Sequence, residues 1–169
     1  IILKTVAEEK GRDPFNVLLT EYIPLRLLIR YYRKNARKIL KTENRSRLFS
    51  LNWSNKKILV GREPYGVFGI ITPSNYPLSL AMGPVVTALI AGNSVLLKPC
   101  PETPRTNILI QQLILESLKI TESLPPYPKN LGSLFKLLPT GIEYGRSLIA
   151  CPSVQRVHFT GSVKTGWEI

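Results

Sequence analysis

The sequence predicts an α/β fold, a Rossmann-like parallel sheet with flanking helices that is incomplete at both ends. Over residues 56–169, short apolar runs typical of strands alternate with segments of helical periodicity, the order that a parallel sheet requires. A chain of 169 residues, 44% hydrophobic and 20% charged with a mean hydropathy of +0.03, is long and apolar enough for one globular domain. These values exclude wholesale disorder, a coiled coil and a collagen-like chain, and two cysteines exclude a disulfide scaffold.

The leading third is expected to be helical. Gly11 is placed to end one helix, and Asp13, directly before a proline, to begin the next. Apolar residues then recur at helical spacing over residues 15–40, with a kink expected at Pro24. Residues 44–55 are interpreted as a polar connection.

From residue 57 the hydrophobic period becomes that of strands and helices in alternation. The predicted strands cover residues 57–60, 67–71, 94–97, 135–138 and 156–159. The predicted helices cover residues 78–91, 103–118 and 142–149, with a further helix beginning after residue 161 and a proline-rich loop at 124–132. Ligands of open parallel sheets bind beyond the carboxyl ends of the strands, so a site is expected there.

The charge is uneven along the chain. The net charge is +12, and residues 1–62 hold 15 Lys/Arg against 5 Asp/Glu, whereas residues 63–169 hold 8 against 6. Seven of the cations fall within residues 26–41, on one face of the predicted helix. This face raises a nucleic-acid-binding module as an alternative function. No nucleic-acid motif accompanies it and charged helix faces are usually just solvated, so the alternative is disfavoured.

No membrane span is predicted. The apolar run at residues 78–91 is shorter than the roughly 20 residues that a spanning helix needs, and Gly83-Pro84 interrupts it.

The chain shows no signal-peptide pattern and few cysteines, which favours a reducing, cytoplasmic setting. It begins without Met, and both ends are interpreted as cuts in a longer polypeptide.

Distinctive polar residues follow three of the predicted strands. They are Thr72-Pro73-Ser74-Asn75, Lys98-Pro99-Cys100-Pro101-Glu102 and Gly161-Ser162 with Gly166. Each has an ordinary structural explanation when taken alone: Asn75 as a turn residue, Lys98 as a solvated charge and Ser162 as a helix N-cap. His158, within a predicted strand, is likewise interpreted as structural.

Taken in order, these motifs resemble the aldehyde dehydrogenase superfamily over nearly the whole chain. The matching segments are residues 62–67, 70–78, 91–99 and 157–166. The resemblance implies a fragment of an NAD- or NADP-dependent enzyme that oxidises an aldehyde to a carboxylic acid and is commonly a homo-oligomer. It also implies three regions: N-terminal helices at 1–55, a strand and turn at 56–66, and a truncated dinucleotide-binding core at 67–169.

The resemblance also supplies roles for single residues. Asn75 matches the asparagine whose amide, with a backbone N–H, forms the oxyanion hole. Lys98 matches the lysine that holds the adenosine ribose, and Ser162 the serine that contacts the pyrophosphate at a helix N-terminus. The remaining residues expected at the cofactor are Ile71, Thr72, Pro73, Ser74, Pro99, Pro101, Glu102, Gly161 and Gly166.

The sequence departs from the family pattern in ways that bear on function. Ser74 stands where the family more often has a large aromatic residue. The acidic residue that often follows the lysine by three positions is replaced by Pro101, with Glu102 one position later, so the choice between NAD and NADP stays open. The loop at 124–132 is longer than the family's usual connection, and the sequence offers no function for it.

The family's nucleophilic cysteine and general-base glutamate both lie beyond the Gly-Ser-x-x-x-Gly segment, and this sequence contains neither. Cys100 and Cys151 are interpreted as structural or incidental. The chain alone is therefore expected to be catalytically inactive, with uncovered apolar surface that promotes aggregation. A non-catalytic remnant or an assembly subunit is the alternative.

Overall fold

The structure is a computed structural model that describes residues 1–45 and 56–169. The helices are α1 (Ile2–Lys10), α2 (Pro14–Val17), α3 (Ile23–Leu40), α4 (Ser79–Ile90), α5 (Pro104–Glu122), α6 (Ile142–Ala150) and α7 (Val163–Glu168). The strands are β1 (Glu43–Asn44), β2 (Leu59–Val60), β3 (Val67–Ile71), β4 (Ser94–Lys98), β5 (Phe135–Leu137) and β6 (Val154–Phe159).

A parallel four-stranded sheet organises the structure, in the order β5-β4-β3-β6. This confirms the predicted α/β fold class. Ile71, the last residue of β3, is paired with Lys98 of β4 and with Phe159 of β6, so three strands end side by side. The polar junctions that follow these strands are thereby brought to one edge of the sheet.

The helices of the first third begin and end as the sequence predicts. Gly11 ends α1 in the left-handed conformation with φ 59°, and the Asp13 carboxylate caps α2 by accepting a hydrogen bond of 2.8 Å from the Phe15 N–H. A π-helical turn (Leu18–Tyr22) joins α2 to α3, with the Ile23 N–H bonded to the Leu18 carbonyl. The irregularity expected at Pro24 is thus a widened turn directly before it.

The segment around residue 60 differs from the prediction. The predicted strand at 57–60 is reduced to β2, which pairs antiparallel with β1 and lies outside the main sheet. The Asn93 side chain binds the backbone N–H groups of Tyr65 and Gly66, and Gly66 has a φ of 112°, so the chain turns away from β2 before β3 begins. The predicted polar connection at 44–55 lies outside the described residues, apart from residues 44 and 45.

One continuous apolar core covers one face of the sheet. It joins the N-terminal helices to α4, α5 and the strands, with α1 packed on α5 and α3 on α4. Its fully buried members include Val6, Val17, Ile70, Leu78, Val85, Leu97 and Ile110. Ile70 faces this core, whereas its neighbour Gly69 faces Leu148 of α6, so α6 lies on the opposite face.

Within residues 1–45 and 56–169, no helix has both the length and the apolar character needed to cross a membrane.

Candidate functional site

A cleft of about 400 Å³ opens at the carboxyl ends of β3, β4 and β6, in the size range of small-molecule sites. The strand junctions contribute Ile71, Thr72, Pro73, Lys98, Pro101, Phe159, Thr160, Gly161 and Ser162. The helical side contributes Thr140, Ile142, Gly145, Arg146, Ile149, Thr165, Glu168 and Ile169. The location agrees with the rule that open parallel sheets bind ligands at this edge.

Backbone hydrogen bonds hold the strand junctions together at the floor of the cleft. The Thr72 N–H donates to the Lys98 carbonyl at 3.2 Å, and the Thr160 N–H donates to the Ile71 carbonyl at 3.1 Å. These bonds continue the parallel ladder one residue beyond the strands. The cleft floor is therefore part of the sheet rather than a free loop.

Gly161 provides space beside an aromatic wall. A Cβ atom on this residue would lie 2.3 Å from Cζ of Phe159, which is closer than any side chain tolerates. A Cβ on Gly166 would lie 3.6 Å from the same ring, an ordinary contact. Gly166 therefore packs behind Phe159 and does not line the cleft, although the resemblance placed it at the cofactor.

Ser162 caps α7 as well as lining the cleft. Its Oγ accepts a hydrogen bond of 3.1 Å from the Thr165 N–H and lies 2.9 Å from the Thr165 hydroxyl. The ordinary N-cap explanation therefore applies to Ser162. Because the side chain stays exposed at the cleft, its oxygen is also accessible to a ligand.

Two cations and one carboxylate, that of Glu168 in α7, line the cleft. Lys98 ends β4 with a half-buried side chain, and Arg146 reaches the cleft from α6. Within the described part of the chain, neither forms an ion pair. The Lys98 stem passes close to Gly145, where a Cβ would lie 4.0 Å from its Cε. Two cations against one carboxylate at a concave surface favour an anionic ligand.

Glu102 and Ser74 turn away from this cleft. The Glu102 carboxylate accepts a hydrogen bond of 3.0 Å from Lys10 of α1 and another from the Ser74 hydroxyl. These contacts, the Ser74 bond first and Lys10 next, lower the pKa of Glu102 below its ordinary value. Pro99 is buried beneath the junction. Of the residues that the sequence assigned to the cofactor, Ser74, Pro99, Glu102 and Gly166 are therefore not brought into the cleft.

Asn75 is exposed on the loop between β3 and α4, at residues 72–78, and does not line the cleft. Its side-chain Oδ1 accepts a hydrogen bond of 3.0 Å from the Tyr76 N–H, so the turn-residue explanation also holds. That bond uses the amide oxygen and leaves the Nδ2 group, which has no partner among the described residues, available as a donor.

The structure adds residues of α6 that sequence reasoning missed. Ile142, Arg146 and Ile149 all line the cleft. They are spaced i, i+4 and i+7, which places them on one face of a helix. This periodicity is visible in the sequence, but it does not reveal that the face borders the strand junctions.

Neither cysteine reaches the cleft. Cys100 is buried with its sulfur 3.0 Å from the Thr103 hydroxyl, and Cys151 is half-buried at the end of α6. These positions agree with the structural interpretation of both thiols. Over residues 1–45 and 56–169, no three His, Cys, Asp or Glu side chains gather as metal ligands would.

Comparison with protein families gives a match along most of the chain. Residues 3–169 match the model of a family described as the aldehyde dehydrogenase family. The succinate-semialdehyde dehydrogenase of Arabidopsis thaliana mitochondria is 32% identical over 83% of this chain and 24% of its own length. Betaine aldehyde dehydrogenase of Bacillus subtilis is 38% identical over 69% of this chain and 21% of its own length.

Solved structures show the same likeness. The Staphylococcus aureus AldH in a substrate-bound state matches 99% of this chain with a TM-score of 0.83 and 29% identity. A Mycobacterium tuberculosis aldehyde dehydrogenase complexed with NAD⁺ matches 98% with a TM-score of 0.79 and 31% identity. Glyceraldehyde-3-phosphate dehydrogenase of Methanocaldococcus jannaschii, complexed with NADP, matches 99% with a TM-score of 0.76 and 27% identity. The chain spans 31 to 34% of these three proteins.

Proposed function

Because the chain belongs to the aldehyde dehydrogenase family, we propose that it is part of an NAD- or NADP-dependent enzyme that oxidises an aldehyde to a carboxylic acid. The observation that supports this proposal best is the cleft at the carboxyl ends of β3, β4 and β6, with Lys98 and Ser162 at its edges. The chain would contribute most of the dinucleotide site.

The residues present fit a dinucleotide in shape and charge. Gly161 leaves open the space beside Phe159 that any side chain would fill, which suits the close approach of a diphosphate. Lys98 would donate to the hydroxyls of the adenosine ribose, and Ser162 would donate to the pyrophosphate. When bound, the nicotinamide ring would supply the hydride acceptor.

Asn75 would act on the substrate rather than on the cofactor. Its Nδ2 group, free of protein partners among the described residues, can donate to an aldehyde oxygen as negative charge develops there. An amide does not titrate, so this donor would serve over a wide pH range. Cys100 and Cys151 both lie away from the cleft, and we propose that the 169-residue chain alone binds the dinucleotide without turnover.

The β4–α5 junction favours a cofactor with a 2′-phosphate. Pro101 lines the cleft where the family often has a carboxylate, and Glu102 is held outside by Lys10 and Ser74. Glu102 therefore does not repel a phosphate beside Lys98, and the carboxylate that does line the cleft, Glu168 of α7, is outnumbered by Lys98 and Arg146. We propose that NADP binds at least as tightly as NAD.

A calorimetric titration of the chain with NAD and NADP tests this function. Replacing both Lys98 and Ser162 by Ala should weaken dinucleotide binding by about 10- to 100-fold, since two polar contacts are lost and one of them is charge-assisted. The matched control, Lys119→Ala with Ser153→Ala, changes an exposed lysine and an exposed serine outside the cleft and should bind as the parent does. Equal affinity of the first variant and the parent would refute the site. Tighter binding of NAD than of NADP would refute the cofactor preference alone.

We also propose that the protein is a homo-oligomer in a reducing, cytoplasmic setting. Trp167 and Val163 of α7 are 86% and 78% exposed, which favours burial against another surface and thus a homo-oligomer. The same surface supports a second candidate, a non-catalytic assembly subunit, which predicts association without dinucleotide binding. Both cysteines are free thiols, in keeping with a reducing cytoplasmic setting.

A further inference from the structure

The loop at 72–78 is held from beneath by a buried carboxylate. Glu21, in the π-helical turn before α3, has no exposed surface. Its Oε2 accepts hydrogen bonds from the Leu78 N–H at 2.8 Å and from the Ser79 N–H at 3.2 Å, where the loop enters α4. Its Oε1 lies 3.3 Å from a terminal nitrogen of Arg12.

Arg12 links Glu21 to the middle of the loop. Its second terminal nitrogen donates to the backbone carbonyl of Asn75. Its guanidinium also lies 4.5 Å from the centre of the Tyr76 ring, in a cation–π contact. The planar fork of an arginine can make all of these contacts at once, which the single ammonium of a lysine cannot.

We propose that Arg12 and Glu21 are positioning residues, which hold the Asn75 amide in the orientation that its oxyanion role requires. This inference rests on the proposed function for the role of Asn75, but the contacts themselves do not. Neither residue would touch the substrate. They act through the backbone of Asn75 and the ring of Tyr76.

The physical reason is preorganisation. A donor to a developing negative charge is effective only if its direction is set before the reaction, and a side chain on an exposed loop lacks that constraint. Here the loop carbonyl, the neighbouring ring and the first two N–H groups leading into α4 are all bound to one charged pair. The bond from the Tyr76 N–H to Asn75 Oδ1 then turns the Nδ2 group outward.

A simple cap on α4 does not account for the whole arrangement. Glu21 alone satisfies the Leu78 and Ser79 N–H groups, and the contacts of Arg12 lie outside the helix, at residues 75 and 76. Burying a carboxylate is also costly, and this burial raises the pKa of Glu21 above its ordinary value. A neutral cap would serve α4 at lower cost, but it would not hold Arg12.

The proposal is tested with Arg12→Met, which keeps the length of the side chain and removes the guanidinium. Two signals of the full 169-residue chain are measured: hydrogen exchange of the Tyr76 amide, and the side-chain amide resonances of Asn75 in a sample labelled with ¹⁵N-asparagine. We expect exchange at Tyr76 to rise by about tenfold or more, and the Asn75 resonances to move toward those of a freely rotating amide. Arg12→Lys should restore these signals only in part. The control Arg30→Met removes an exposed cation of α3 and should change neither signal.

The outcomes separate this inference from the proposed function. Parent-like Tyr76 exchange and Asn75 resonances in Arg12→Met would overturn the positioning role. If that variant does not fold, Glu21→Gln replaces it, because Glu21 does not contact residues 75 or 76 directly and should still disturb them through Arg12. Dinucleotide affinity is titrated in parallel and should stay within about twofold of the parent. If the parent chain binds neither dinucleotide, the proposed function is refuted. The positioning role is then judged from the hydrogen exchange and the Asn75 resonances alone.

Discussion

At the scale of single residues, Glu21 shows how burial sets the chemistry of a charged group. Desolvation raises the pKa of its carboxyl from the ordinary 4.5, against the opposing pull of the Ser79 and Leu78 N–H groups, Arg12 and Lys10. Between the ordinary and the raised pKa, the folded chain keeps a proton that the unfolded chain has lost. Ionisation of Glu21 therefore destabilises the fold as the pH rises through this interval.

We expect the stability difference between the parent and Glu21→Gln to depend on pH with this sign. The free energy of unfolding of the parent should fall, relative to that of the variant, as the pH rises through the interval between the ordinary and the raised pKa. Urea unfolding at several pH values across this range measures the difference.

The comparison removes the contributions of the other shifted carboxylates. Glu43 and Glu102 have lowered pKa values, because they bind Arg62 with Arg45 and Ser74 with Lys10 respectively. Their stabilisation is lost as the pH falls below the ordinary range, and both proteins share it. If the free energy of unfolding of the parent, relative to that of Glu21→Gln, stays constant or rises with pH, the raised pKa of Glu21 is contradicted.

At the scale of elements, a buried asparagine joins three parts of the main sheet domain. Asn93, between α4 and β4, is only 3% exposed. Its Oδ1 accepts from the Tyr65 N–H at 2.7 Å and the Gly66 N–H at 3.1 Å, and its Nδ2 donates to the Ala88 carbonyl at 3.1 Å. The end of α4, the entry to β3 and the start of β4 therefore depend on one side chain.

Replacing Asn93 by Ala should lower the free energy of unfolding by about 2–4 kcal/mol, because buried backbone donors and an acceptor lose their partners. Asn93→Asp keeps the acceptor for Tyr65 and Gly66 but loses the donor to Ala88, so a smaller loss is expected. Chemical denaturation measures both.

The matched control is Asn16→Ala, an exposed asparagine of α2, which should change stability by less than about 0.5 kcal/mol. A loss for Asn93→Ala no larger than that of this control would show that Asn93 does not join these elements.

The elements also show which strands and helices hydrophobic periodicity predicts and which it misses. β3, β4, β5 and β6 lie where short apolar runs predict strands, and α5 starts after Thr103 as its Thr-Pro junction indicates. β1 and β2 have only two residues each, too few for a strand pattern to be visible. Their pairing depends on contacts between distant segments, which periodicity does not record.

At the scale of the whole molecule, large apolar side chains of α6 and α7 remain exposed. Ile142 of α6 is 69% exposed, and Trp167 and Val163 of α7 are more exposed still. β6 and β5 are the outer strands of the sheet, so each leaves one row of backbone groups outside the ladder of the described residues. Such a surface favours association.

We expect the isolated chain to associate in solution. Size-exclusion chromatography with light scattering should give a mass above that of the 19.0 kDa monomer. Trp167→Lys should shift the distribution toward the monomer, because it places a charge at the most exposed aromatic side chain of the described residues. Lys119→Ala, on the distant surface of α5, serves as the control and should associate as the parent does.

A monodisperse 19.0 kDa species that melts cooperatively would contradict this prediction. Association that is unchanged in Trp167→Lys would place the contact elsewhere on the molecule.

The sequence by itself determined the fold class, the order of strands and helices, and the three junctions at which ligand-binding residues could stand. These features follow from apolar spacing and turn residues within short segments, so a linear pattern records them. It also determined which of these residues match the aldehyde dehydrogenase family.

Only the tertiary structure decided which side chains from distant segments line the cleft and which bind to neighbouring elements outside it. Glu102 pairs with Lys10 across 92 residues of sequence and lies outside the cleft. Arg146 of α6 lines the cleft instead. Arg12 reaches the Asn75 carbonyl across 63 residues. A hydrogen bond or an ion pair depends on distances of a few ångströms between atoms, and those distances exist only once the helices have packed on the sheet.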